Sequence, residues 1–147
     1  MMKTSRKVTR IRLDILTNDM FFLYGIVSSE PDYKLSLALN KKMGIFLKNK
    51  APLKLHNDNG NELTFSRFSY TNASDDVVYE LISNRSEKQY LLKKLKNVDY
   101  VFHVHFHGKD IIGSNVTSLL RDTESINAVF EIDPHTFSDK NLQYIIH

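Results

Sequence analysis

Three histidines, His103, His105 and His107, recur at every second position in the run Tyr100-Val101-Phe102-His103-Val104-His105-Phe106-His107. Imidazole is the commonest protein ligand for transition metals, and the same ring exchanges protons near neutral pH. On an extended chain rising roughly 3.3 Å per residue, side chains two positions apart leave the same face about 7 Å from one another. Neighbouring members of the row can therefore share one zinc ion, while all three on a flat strand strain to reach it. A tetrahedral site then needs a ligand from elsewhere, and Asp110, His135 and His56 are the candidates. Such a centre would make the chain a zinc-binding protein or a metal-dependent hydrolase.

The plainer reading starts from the other half of the alternation. If Tyr100, Phe102, Val104 and Phe106 fill a core, the imidazoles lie on the solvated side of an antiparallel sheet, which commonly keeps one face in water. That is the expected arrangement, with no cofactor; zinc on His103, His105 and His107 is the alternative.

Other chemistry is thinner. Lys41, Lys42, Lys48, Lys50 and Lys54 cluster in sequence, as do Lys93, Lys94 and Lys96, with Phe65, Phe68 and Tyr70 in a neighbouring stretch. Exposed on a sheet, those rings would stack bases between phosphate-binding lysines, as in a weak RNA-binding accessory protein. Buried, they are core, and the lysines are ordinary surface. The net charge of +3 is small for a nucleic-acid binder, so nucleic acid is not the expected partner. The chain has no Gly-rich phosphate loop, no Gly-x-Ser-x-Gly elbow and no His-Glu-x-x-His pair. Asp99 reads as a cap or turn residue, and Glu131 and Asp133 as the charged side of a strand. No catalytic residue is assigned.

The elements that must position these residues follow from periodicity and turn chemistry. Residues 1–6 read as a flexible basic tail, and Val8 to Ile15 alternates as a first strand. Met20 to Ser28 is apolar on both sides, as a strand covered on both faces would be. Ser29-Glu30-Pro31-Asp32 starts a helix, with Ser29 as its cap and Pro31 in its first turn; Leu35, Ala38, Leu39 and Met43 form its stripe and Gly44 stops it. Ile45 to Leu55 is an extended edge passage containing Pro52, and His56 to Asn61 turns through Asn-Gly. The apolar phase slips between Phe65 and Phe68, predicting a β-bulge near Arg67. Val77 to Ser83 is a strand, Gln89 to Leu95 a short helix, Asp99 to His107 the histidine strand, and Ile111 to Thr123 a second long helix. Ile126 to Ile132 is the next strand, and Leu142 to Ile146 a final short edge strand. Hairpins mixed with two longer helices predict one α+β domain over residues 1–147, its largely antiparallel sheet carrying both main helices on one face.

The totals agree with a folded domain: 147 residues, 41% hydrophobic and 25% charged, enough to bury a core. The absence of cysteine excludes a disulfide scaffold and fits a reducing cytoplasm. The N-terminus lacks the apolar core of a signal peptide, and Met20 to Val27 is too short to cross a bilayer, so no membrane is expected. Val98-Asp99-Tyr100, preceded by Leu95-Lys96-Asn97, together with Pro31-Asp32-Tyr33-Lys34-Leu35, Asn40-Lys41-Lys42 and Phe130-Glu131-Ile132-Asp133-Pro134, resembles the IPExxxVDY family of small Bacteroidetes proteins. Leu92-Lys93-Lys94 stands where that family has Ile-Pro-Glu. The resemblance implies a bacterial protein with no assigned reaction, cofactor or catalytic residue. The expected function is a non-enzymatic binding or interaction module with an unknown protein partner, and a homodimer through an open sheet edge or uncovered face.

Overall fold

A computed structural model describes residues 20–74, 76–107 and 113–145. The expected basic tail and the strand Val8 to Ile15 lie outside these residues. In chain order the elements are β1 (Met20–Val27), α1 (Asp32–Met43), β2 (Lys48–His56), β3 (Glu62–Asn72), β4 (Val77–Ser83), β5 (Arg85–Ser86), β6 (Gln89–Tyr90), β7 (Tyr100–Phe106), α2 (Gly113–Arg121) and β8 (Ala128–Ile132). A 3-10 helix, Lys140–Tyr144, follows. The fold is α+β, built on a six-stranded antiparallel sheet in the order β2-β3-β4-β7-β1-β8.

Local chemistry sets the punctuation. Pro31 occupies the N-cap position of α1 and its carbonyl accepts from the Lys34 and Leu35 amides. Ser29 therefore does not cap. Acidic Asp32 and basic Lys41 and Lys42 sit at the ends that the helix dipole favours. Gly44 closes the helix in the left-handed region (φ 69°), its N–H donating to the Asn40 carbonyl. Asn57 organises the β2–β3 turn, its Oδ1 accepting from the amides of Asn59 and Asn61, while Gly60 takes φ 82°.

Both main helices pack on one face of the sheet. Leu35 and Leu39 of α1 and Val116 and Leu120 of α2 share a core with Tyr100, Phe102, Val104 and Phe106. The opposite face is not the solvated one expected. There Val101, Leu23, Ile82 and Phe65 are buried beneath Leu91, Leu92, Leu142 and Ile145. Two segments make this cover, and both depart from expectation. Gln89 to Leu95 is the strand β6 followed by turns, not a helix, and Lys140–Tyr144 is a 3-10 helix where an edge strand was expected. Neither segment is long enough to show a period, and their leucines point inward whatever the backbone does.

The covered second face also explains the slip between Phe65 and Phe68. The two rings enter opposite cores, which an odd spacing on a regular strand requires. The irregularity itself lies across the ladder, where Ala51 and Pro52 of β2 face the single residue Ser66 of β3.

The sheet's two edges differ. On β2 the bulge, Pro52 and the exposed Lys48, Lys50 and Lys54 obstruct pairing by a further strand. On β8 the residues are Ala128, Val129, Phe130, Glu131 and Ile132, and among the described residues this strand pairs with β1 alone. No helix among the described residues is long and apolar enough to cross a membrane.

Candidate functional site

The histidine row divides into two chemistries. His103 is 4% exposed, and its Nε2 stands 2.9 Å from Oε1 of Glu80, itself 5% exposed and directly opposite on β4. Burial alone would raise the Glu80 carboxyl, but the hydrogen bond and charge of His103, with the charges of Arg67 and Lys50, hold it below the ordinary carboxylate range. An ionised carboxylate only accepts, so His103 Nε2–H is the donor. The Lys50 ammonium reaches the second oxygen, Oε2, at 3.5 Å. On the other side of the ring, Nδ1 is buried and meets no hydrogen-bond partner among the described residues.

His105 and His107 behave differently. The His105 ring stacks on Phe21 with centroids 3.9 Å apart and planes 19° from parallel. His107 approaches it to 3.8 Å between centroids. The expectation that the row lies in solvent thus fails for His103, because β7 is central and both its faces are covered. Among the described residues no three histidine or carboxylate side chains converge as metal ligands. Of the proposed additional donors, His56 ends β2, His135 is exposed in the turn after β8, and Asp110 lies outside the described residues.

The aromatic platform for bases does not form, since Phe65 and Phe68 are buried in separate cores. Asp99 also has a structural assignment. Its Oδ2 accepts from the Ser28 amide at 2.9 Å and its Oδ1 meets Arg85 Nε at 2.8 Å. The flanking residues of Val98-Asp99-Tyr100 work similarly. Val98 packs so closely on Gly25 that a Cβ there would lie 3.0 Å from its Cγ2, and the Tyr100 hydroxyl donates to the Glu30 carbonyl at 2.6 Å. Burial, with Asp32, Asp99 and Glu30 nearby, pushes the Tyr100 hydroxyl up to about 12.

A residue that sequence reasoning passed over ties this region together. Asn84, fully buried, donates from Nδ2 to the carbonyls of Leu95 and Val98, both at 2.9 Å, and accepts at Oδ1 from the Leu92 amide at 2.8 Å. It holds the Leu91 to Val98 segment against the sheet. Its only sequence signal is an amide side chain directly after an apolar strand.

Two concavities flank the cover. One, about 390 Å³, opens beside β8 and is walled by Leu95, Val98, Phe130, Ile132 and Phe137. The other, also about 390 Å³, lies at the opposite end of the second face, between the β2–β3 turn and the 3-10 helix. No protein-family model matches the chain, and a search of curated proteins returns no match.

Proposed function

We propose that this chain is a non-enzymatic interaction module that pairs with a second copy of itself through the outer edge of β8. The observation that carries the reading is the contrast between the edges: three lysines, a proline and a bulge obstruct β2, whereas β8 has no proline or bulge and a single charged residue, Glu131. The strand is also suited to pairing with itself. Antiparallel pairing about a two-fold axis at Phe130 sets Ala128 against Ile132 and Phe130 against Phe130, all on one face. Phe130 is 45% exposed and borders the apolar concavity lined by Ile132 and Phe137, so its ring has a surface to cover in the partner. The cysteine-free composition suits a cytoplasmic setting, and membership of the IPExxxVDY family would leave this reading intact, since that family brings no reaction with it.

The test is the oligomeric state of the full chain by sedimentation. The expected result is a concentration-dependent dimer that Phe130→Lys converts to a monomer melting no lower than the parent does when diluted to monomer. A chain that stays monomeric at millimolar concentration, or a Phe130→Lys variant that dimerises as well as the parent, overturns it.

A second reading has one observation in its favour. The contact between the His105 and His107 rings is close enough for two imidazoles to chelate one divalent ion, with the remaining ligands from water or another molecule. Elemental analysis of tag-free protein should then find zinc at one equivalent per chain, lost in the His105→Ala, His107→Ala variant. Metal-free protein that fails to take up added zinc refutes this.

A further inference from the structure

From the basic cleft at the far end of the second face, away from β8, we infer a binding site for a small phosphate ester carrying a flat ring, of mononucleotide size. Its cationic groups come from three separate parts of the chain. Lys54 stands on β2, Lys93 in the segment after β6, and Lys140 at the start of the 3-10 helix. Chain neighbours such as Lys93 and Lys94 share a surface because they are adjacent; positions 54, 93 and 140 share one only because the fold brings them together. Asp58 is the single carboxylate among the lining residues, so the cleft has an excess of positive charge.

The rest of the lining suits the remainder of such a molecule. Tyr144 is 42% exposed in the wall and offers a ring face for stacking. Tyr90, also in the lining, packs against Arg85, whose guanidinium lies 5.3 Å from the ring centroid. The Asn141 amide also belongs to the wall, and its orientation is fixed by donation to the Leu91 carbonyl at 2.7 Å. The cavity volume of about 390 Å³ falls within the roughly 300–1,000 Å³ range of small-ligand sites. Charge from three segments, an open ring and pinned walls together favour a planar anion over a plain inorganic ion. An extended nucleic-acid strand would need further exposed rings beside the cleft; Phe65 and Phe68 are buried, and the exposed Phe130 stands on β8, outside the cleft lining.

The inference does not depend on pairing through β8, because none of the cleft residues belongs to that strand. The experiment is calorimetric titration of the full chain with adenosine monophosphate, inorganic phosphate, adenosine and a short single-stranded RNA. The expected result is saturable binding of adenosine monophosphate at low salt, at least tenfold tighter than phosphate or adenosine. Lys54→Ala, Lys93→Ala and Lys140→Ala should each weaken it about tenfold, as the loss of one charge-assisted hydrogen bond does. Arginine at the same positions should restore it, and Lys41→Ala on α1 should leave it unchanged. All four lysines are exposed, so the variants keep the fold. Absence of saturable binding, equal affinity for phosphate and the nucleotide, tighter lysine-dependent binding of the RNA, or insensitivity to all three alanine variants would each overturn the assignment.

Discussion

Replacing Asn84 with alanine is expected to destabilise the protein by about 3–5 kcal/mol. The alanine leaves the Leu92 amide and the carbonyls of Leu95 and Val98 without the partners that now lie at 2.8–2.9 Å. Each unsatisfied buried group costs about 1–3 kcal/mol, and part of that is recovered as water enters the loosened segment. Asn84→Asp should be nearly as damaging, because it keeps the acceptor for Leu92 but removes both donors and buries a charge. Urea denaturation measures the loss, and hydrogen exchange locates it. Exchange should accelerate first at the Leu92 amide, whose acceptor is the Asn84 side chain, and less at Leu91, whose acceptor is the Asn84 backbone carbonyl. A loss below about 1 kcal/mol would mean that the cover over Val101 and Ile82 is held by its leucines alone.

The parts of the fold that were legible in the sequence are those whose period outlasts a turn or two. The helix from Asp32 to Gly44 could be read from its apolar stripe, its charged ends and a glycine stop. The strand at Tyr100 followed from strict alternation. Alternation reports that one face is apolar, however, and says little about a face that is mixed. Val101 and His103 lie on the same side of β7, and both are buried. What covers Val101 comes from the segments after Gln89 and Asp139, too short to carry a period of their own, while His103 lies against Glu80 and Phe21.

The same limit applied to the site. Histidines spaced by two suggested a metal or solvent because both readings treat the strand alone. The partner that decides the role of His103 is Glu80, 23 residues away, and only the pairing of β4 with β7 sets them opposite. Likewise Lys54 and Lys93 belong to separate lysine clusters in the sequence and Lys140 to neither, and the three line one cleft only after three segments have packed.

The Glu80–His103 pair is the second place where a single substitution should have a large effect. Removing one partner strands the other in a site where both side chains are 7% exposed or less, so His103→Ala or Glu80→Ala should each cost about 3–5 kcal/mol. Replacing both together, as Glu80→Met with His103→Leu, should cost much less than either single change, since the expense of the singles lies in the abandoned group rather than in the lost attraction. Acid should reveal the same pair. Glu80 titrates lower in the folded protein than its ordinary value of 4.5, so its contribution is complete above that value and is lost as pH falls through the depressed folded one. Chemical denaturation as a function of pH should therefore show stability falling below about pH 4.5, more steeply in the parent than in Glu80→Gln, whose amide accepts from His103 but does not titrate. Parallel pH profiles for the two proteins, or a double variant as unstable as the sum of its singles, would mean that the two side chains act independently. The pair would then be a crossing of two strands and not the polar joint that fixes their register beneath an otherwise apolar cover.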